Sequence, residues 1–591
     1  MNAFTKSLLA TTALVLAGSG AMAGEVRFTP VPFAADDAQK RAVLASTGVE
    51  INGQTYPIGF SLLARSGDIF GDVVFGTLTD ENGQPVKSAD GSPHVSVDAD
   101  FTSLLPVGEK LFSITHFESR PGAMYLSELK GDAEGRLSIV GTKPIDFSSV
   151  GGLWVPCAGS VTPWGTHLGS EEYPPDARAV EEATAMDQID DYYKPMARYA
   201  GFDPATVTVE DFKAVFKPYR YGFPTEITVA EDGSYTVAKH RAMGRVAVEL
   251  AKIMPDRKTA YISDDGTNVG LFMFVADKAG DLGAGMLYAA KWNQTSADGA
   301  GAADLTWISL GHADDRSVTE GVARGVTFTD LFETAEMAED GSCPAGFSAS
   351  NAEGRVECLK VKPGMEMLAS RLETRRYASM LGATTEFRKE EGIALDPAGK
   401  TLFVAMSEVG NGMEDMAKDG KYDKGGSNDI RVAANPCGAV YKIGLEADPT
   451  IGSDFVGKGL TTLVAGKPTT YEEGSPYAGN TCDIDGVANP DNLTFMDGYG
   501  TLIIGEDTGS GHQNDAIWAY NMADGGLTRI FSTPYGSETT SPYFYSDVGG
   551  HGYLMAVVQH PYGESDKDKR TDPADARAYI GYIGPFPALT N

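Results

Sequence analysis

The chain has 591 residues, of which 42% are hydrophobic and 22% charged, so it carries enough apolar mass for a large core and is no disordered or collagen-like polymer despite 70 glycines. Its 48 basic against 81 acidic side chains give a net charge of −33, which sets the surface against phosphate backbones and anionic membranes and excludes nucleic acid as an expected partner. An acidic balance of this size fits the binding of cations.

Residues 1–23 carry Lys6, an apolar run from Leu8 to Leu16 and the small-residue ending Ala21-Met22-Ala23, the order of a secretory signal peptide. The mature chain is expected to start at Gly24 in a periplasmic or secreted location, and no later run is apolar for long enough to predict a membrane span. Cysteine occurs at 157, 343, 358, 437 and 482, an odd count for an oxidising compartment. Cys343 and Cys358 flank one short loop, and Cys437 and Cys482 both lie in Gly/Asn-rich loops, so two disulfides are expected with Cys157 left over.

From residue 100 onward a unit recurs: a polar or acidic residue, a short apolar strand, a turn with Gly or Asp, a second strand and an acidic pair, usually followed by a third strand. In chain order the copies are the weaker "DFTSLLPVGEKLFSITHFE" from Asp100 and "CAGSVTPWGTHLGSEE" from Cys157, then "ELAKIMPDRKTAYISDDG" from Glu249, "EGIALDPAGKTLFVAMSE" from Glu391 and "DNLTFMDGYGTLIIGED" from Asp491, with "SPYFYSDVGGHGYLMAVVQH" from Ser541 as a candidate sixth. Alternating β-branched and aromatic residues between turn signals mark strands, and repeated units of three to four strands mark a propeller. The expected fold is an all-β, six-bladed β-propeller over residues 24–591, with insertions near 176–222, 330–385 and 410–430. The first insertion reads as helices after Thr208 and around Met186 that cover one rim, and the last as a polar loop without the spacing of an EF-hand.

A tight turn returns the end of the second strand to the edge where the first began, so their acids become neighbours. Cys157 then meets Glu171 or Glu172, Glu249 meets Asp264 and Asp265, Glu391 meets Glu408, and Asp491 meets Glu506 and Asp507. With the first strands lining a central channel, these groups converge on one mouth. Crowded carboxylates there demand raised pKa values or cations; oxygen clusters suit Ca²⁺, and a thiolate adds a site for a transition metal.

These residues resemble the PhoX-type alkaline phosphatases. The string "CAGSVTPWGTHLGSEE" is similar to the family's Cys-Ala-Gly…Thr-Pro-Trp-Gly-Thr…Glu-Glu motif, and "MGRVAVEL" with "YISDDG", "RKEEGIALD" and "NPDNLTF" resemble its further motifs, over roughly residues 100 to 560. The resemblance implies a secreted six-bladed propeller using Fe and Ca. It implies iron at Cys157 and Glu172, carboxylates shared between iron and calcium at Glu249, Glu391 and Asp491, and calcium at Asp264 or Asp265. Two residues before the carboxylate, where the family grips phosphate with an arginine, stands Lys389, with Arg388 beside it; the family's histidine before the glutamate is Val248. The activity implied is hydrolysis of phosphate monoesters at the metal cluster, on a small-molecule phosphoester, by a monomer. A calcium-stabilised binding propeller without catalysis and another metal-dependent esterase or lactonase are the alternatives.

Overall fold

Each repeat read from the sequence folds as an antiparallel hairpin. In chain order these are β1 (Ala99–Val107) with β2 (Lys110–Phe117), β3 (Ser160–Val161) with β4 (His167–Gly169), β5 (Val248–Ile253) with β6 (Thr259–Asp264), β7 (Glu390–Asp396) with β8 (Thr401–Met406), β9 (Pro490–Met496) with β10 (Thr501–Glu506), and β11 (Glu538–Val548) with β12 (His551–Gln559). The computed structural model describes residues 24–88, 90–564, 572 and 574–589; the expected signal peptide, residues 1–23, lies outside the described residues.

The first strands touch one another in ring order: β1 with β3, β3 with β5, β5 with β7, β7 with β9, β9 with β11, and β11 with β1 again. Outer strands extend each hairpin into an antiparallel unit. In the last unit the fourth strand is supplied from the other end of the chain, Phe60–Arg65 pairing with Tyr579–Pro587, so that both ends of the domain are tied into one sheet. The fold is thus all-β and propeller-like. Its sheets are not six separate ones, however. The strands Asp281–Ser296 and Ala302–Asp314 run beyond their own unit, and Ala302 to Asp304 pair with Thr461 to Gly459 of the next, fusing two units into one nine-stranded sheet. That pairing covers outer edges that would otherwise present unpaired backbone.

Between the units, two fully buried tyrosines have their polar ends satisfied: the Tyr261 hydroxyl donates to the Phe455 carbonyl and the Tyr441 hydroxyl to the Ala300 carbonyl. Residues 176–222 contain helix α1 (Ala177–Glu182) and helix α2 (Val209–Val215), the latter capped by Thr208, whose side chain accepts from the Asp211 amide. Around Met186 there is only the short 3₁₀ turn Met186–Gln188, because the flanking Ala-rich and Asp-rich segment offers no second apolar stripe. Helix α3 (Asp315–Ala323) follows the third unit. Residues 330–385 hold a three-stranded sheet, crossed by the Cys343–Cys358 disulfide, and the buried helices α4 (Glu366–Leu372) and α5 (Thr374–Met380). Cys437–Cys482 is the second disulfide, and Cys157 stays a buried free thiol. The 410–430 loop is anchored to the body: the Tyr422 carbonyl accepts from Asn268 and Asn351, and Asp429 pairs with Lys291. No helix among the described residues is long and apolar enough to cross a membrane.

Candidate metal centre

In β1, β5, β7, β9 and β11 the ladder breaks at the same place. Ala99 faces Phe117 but the next paired residue is Thr102 with Thr115; the equivalent jumps run from Val248 to Ala251, Glu390 to Ile393, Pro490 to Leu493 and Thr540 to Tyr543. Each jump sets three steps of the first strand against two of its partner, a β-bulge, and bulges re-aim side chains. The residue re-aimed is Asp100, Glu249, Glu391, Asp491 and, in the last unit, Ser541. These are the first residues of the quoted repeats. In the second unit the loop before the two-residue β3 supplies Cys157, whose carbonyl accepts a 2.6 Å hydrogen bond from His116 Nδ1.

The second strands β4, β6 and β10 lead into acid pairs that point opposite ways, as alternation requires. The first acid of each pair turns to the body and fastens the backbone just ahead of a centre residue. Glu171 accepts from the amides of Trp154 and Gly222 and from Lys239; Asp264 from the Ala247 and Gly270 amides and bidentately from Arg375; Glu506 from the Ala488 and Ala516 amides and the Trp518 indole, with His512 2.9 Å away. The second acid, Glu172, Asp265 or Asp507, faces a cleft of about 420 Å³ at the ring's mouth.

Ligand-capable atoms converge there in three overlapping groups, each within 4.8 Å: Asp100, Glu118 and Cys157; Cys157, Glu172 and Glu249; Glu249, Glu391 and Asp491. Cys157 and Glu249 each belong to two groups, so the three form one continuous cluster. Burial, then the neighbouring acids, drives the ionised forms up in energy. Glu172, Glu249 and Asp491 titrate well above the carboxylate range, Asp100 at about 6, Glu118 at about 8 and Glu391 at about 7, and the Cys157 thiol is pushed well above its ordinary value. Asp265 differs: burial would raise it, but Lys389 and the Tyr173 hydroxyl hold it below the ordinary value.

Such a donor set fits bound cations on its chemistry alone. Buried carboxylates without enough protein cations are stable when protonated or metallated, and a buried thiol becomes a ligand only by losing its proton. Among the described residues, positive charge is brought toward the cluster by Lys389, whose Nζ lies 3.3 Å from Glu391 and 3.6 Å from Asp265, and by Arg120 on the cleft wall.

Arg388 stands outside the cleft. It is held by Glu408 at 2.7 Å and by Thr267, so Glu408 also serves as its partner and not as a neighbour of Glu391. Asp264, expected to hold calcium as an alternative to Asp265, is committed to Arg375 in a buried ion pair. Arg375→Leu is therefore expected to cost about 3–5 kcal/mol, measured by chemical denaturation, by leaving a buried carboxylate unpaired. Asp264→Asn is expected to lower the melting temperature while leaving the metal content of the folded protein unchanged; loss of metal from a folded Asp264→Asn protein would make it a ligand after all.

Residues outside the sequence expectation also line the cleft: Glu118, Glu538, Glu564 and His560, with Tyr173, Tyr192 and Arg120 at its wall. Asp100 and Glu118 stand at the two ends of a quoted repeat, the places Glu391 and Glu408 occupy in another, and that register was the signal for them. Glu538 and Glu564 carried none. Several cleft residues other than glycine sit in the left-handed region, with φ of 43° at Tyr173, 48° at Lys389 and 32° at His560. Each such residue costs about 1 kcal/mol or more, a strain that concentrates at functional sites.

Comparison with known proteins agrees with this geometry. The family model described as alkaline phosphatase PhoX matches residues 111–561. Among solved structures, PhoX of Pseudomonas fluorescens in complex with vanadate, a transition state analogue, matches with a TM-score of 0.60 at 17% identity, over 94% of this chain and 98% of that one, and so shares the fold. A putative 6-phosphogluconolactonase from Bacteroides uniformis matches with a TM-score of only 0.29 at 12% identity, over 83% of this chain and 96% of its own. Curated proteins give no match. With well over half its length matched by the family model, the chain belongs to the PhoX family of alkaline phosphatases, metal-dependent enzymes that hydrolyse phosphoesters.

Proposed function

We propose that this protein hydrolyses phosphate monoesters at the mouth of a six-bladed ring, with iron and calcium held by the cluster. The observation that carries the reading is the overlap of the three donor groups through Cys157 and Glu249. The thiolate end, Cys157 with Glu172 and Glu249, suits iron; the oxygen-only end, Glu249 with Glu391 and Asp491, and the second acid Asp265 suit calcium. Bound there, the ions would polarise phosphoryl oxygens and offset charge developing in an in-line displacement. The chain's own part is positional. The bulged strands fix the carboxylates, Ser541 holds Asp100 through a 2.6 Å hydrogen bond, Ser407 holds Glu391 at 2.7 Å, and Lys389 stands where a substrate phosphate would meet a cation. Two disulfides support an oxidising compartment, periplasmic or outside the cell. Purified protein should hydrolyse p-nitrophenyl phosphate and contain both metals by elemental analysis, with a visible thiolate-to-iron absorption. Colourless, fully active protein free of iron would remove iron from the reading.

Chelation tests the ions independently. In chelated protein Asp100, Glu391 and Glu118 titrate at about 6, 7 and 8, raised mainly by burial, whereas an unfolded chain titrates near 4. The folded state then binds more protons than the unfolded one, so this stabilisation is fully present below about pH 4 and is lost as pH rises through about 6 to 8. Thermal melts of chelated protein should therefore fall from pH 5 to pH 8, and restored metal should remove the fall. Equal melting temperatures at both pH values after complete chelation would contradict it.

A further inference from the structure

A second cleft, larger than the metal mouth, lies away from it. Its volume is about 1190 Å³, somewhat above the usual range of ligand pockets, and it opens between the 176–222 insertion, the segment 148–151 and helix α3. Its polar lining is unlike the rest of the protein. In a chain of net charge −33 it collects four cations, Lys213, Lys217, Arg220 and Arg241, against two acids, Glu81 and Glu181. Glu181 is already engaged by Thr329.

The two arginines are short of partners. Arg241 is 7% exposed, its buried Nε has no hydrogen-bond partner among the described residues, and its Nη1 reaches Thr319 only at 3.4 Å. Arg220 forms no side-chain hydrogen bond or ion pair among the described residues. The cations also oppose one another: Lys217 titrates below ordinary lysine through burial and the charges of Arg220 and Lys213, and Arg241 is lowered by burial and by Arg220 although Glu171 and Asp315 act against this. A buried donor left unmade is costly, and an anion would satisfy it. The lining also carries apolar side chains, Val215, Val322, Val326 and Phe202, a phenylalanine 38% exposed to solvent.

We propose that this cleft is a second binding site, distinct from the metal mouth, for an organic anion carrying a carboxylate, sulfonate or phosphate head on an apolar chain or ring. The head meets the guanidinium groups of Arg220 and Arg241 that line the cleft, and the apolar body covers Phe202 and the valines. Charge complementarity selects the ligand class: the field of this chain repels anions nearly everywhere else.

The test uses the full-length, metal-loaded protein and the fluorescent probe 8-anilinonaphthalene-1-sulfonate. One saturable site is expected, with the probe displaced by decanoate and by decyl phosphate below their micelle concentrations, and displaced by neither decanol nor inorganic phosphate at equal concentration. Arg220→Glu and Phe202→Asp, both substitutions of partly exposed side chains, should each weaken displacement about tenfold or more, the loss of one charge-assisted hydrogen bond or of the apolar wall. Lys389→Ala, in the metal mouth, should leave the affinity unchanged. Binding that survives both cleft substitutions, or that Lys389→Ala removes, overturns the assignment. Displacement by decanol as effective as by decanoate overturns the anion requirement, and inorganic phosphate as effective as decyl phosphate overturns the apolar part.

Discussion

Cys157→Ser is expected to lower phosphomonoester hydrolysis by at least about 10³-fold and to strip the thiolate-bound metal, because Cys157 belongs to two of the three donor groups. Altering a residue that merely orients a ligand costs about 10–100-fold in metal affinity or activity, and removing the shared ligand itself exceeds that. Serine keeps the volume and leaves the strands in place, so circular dichroism should be unchanged while iron content and visible absorption fall together. Cys343→Ser is the matched control. It opens a disulfide spanning a sequence separation of 15, expected to cost about 3 kcal/mol of stability in the loop-entropy model while folded protein keeps its specific activity. Equal specific activity in Cys157→Ser and the parent would reduce the thiol to packing, and a Cys343→Ser enzyme that loses metal would tie that remote loop to the centre.

Much of this architecture was legible because it repeats. One acid at the start of a strand is an ordinary turn residue, but Asp100, Glu249, Glu391 and Asp491 open four of the units in one register, and the chain turns that periodicity into convergence on a ring. The bulge was not legible. Simple alternation treats β7 as a regular strand, whereas the extra residue at Glu391 and Gly392 re-aims the carboxylate, and no side-chain pattern marks it. Gly392 supplies the one cue, since a Cβ there would stand 2.6 Å from the Cα of Asn492 on the adjacent first strand. Sequence also could not say which acid of a pair looks inward. Asp264 and Asp265 are chemically interchangeable in a string, and only Arg375, 111 residues away on α5, decides that Asp264 anchors the backbone while Asp265 faces the cleft. Long-range partners of this kind explain most of the missed site: Glu538 and Glu564 reach the mouth through the last unit, without a repeat to announce them.

Lys389→Ala is expected to weaken substrate use and inhibition by inorganic phosphate together, by about 10–100-fold, the worth of one charge-assisted hydrogen bond in a buried setting. Burial works against the lysine's charge, yet Asp265 and Glu391 hold its pKa well above the ordinary value, so it stays cationic throughout the working range and carries no pH dependence of its own. A lysine grips phosphate as a point charge where an arginine offers a planar fork, and the grip should weaken with salt more than a bidentate one would. Arg388→Ala should be mild for phosphate, since its guanidinium is spent on Glu408 and Thr267 outside the cleft. A fork is nevertheless at hand on the facing wall. Arg120 lines the cleft with its buried Nε unpartnered among the described residues, its guanidinium 5.3 Å from the ring centre of Trp154 and 4.9 Å from that of Tyr192. If Arg120 supplies the missing fork, Arg120→Lys should impair phosphate inhibition at unchanged melting temperature, and the double substitution with Lys389→Ala should cost more than either alone. If the arginine only clamps the insertion between its two aromatic neighbours, Arg120→Lys should lower the melting temperature and leave phosphate inhibition intact. Phosphate inhibition unchanged in both Lys389→Ala and Arg120→Lys would place the phosphate wholly on the metals, and neither side chain would then be part of the grip.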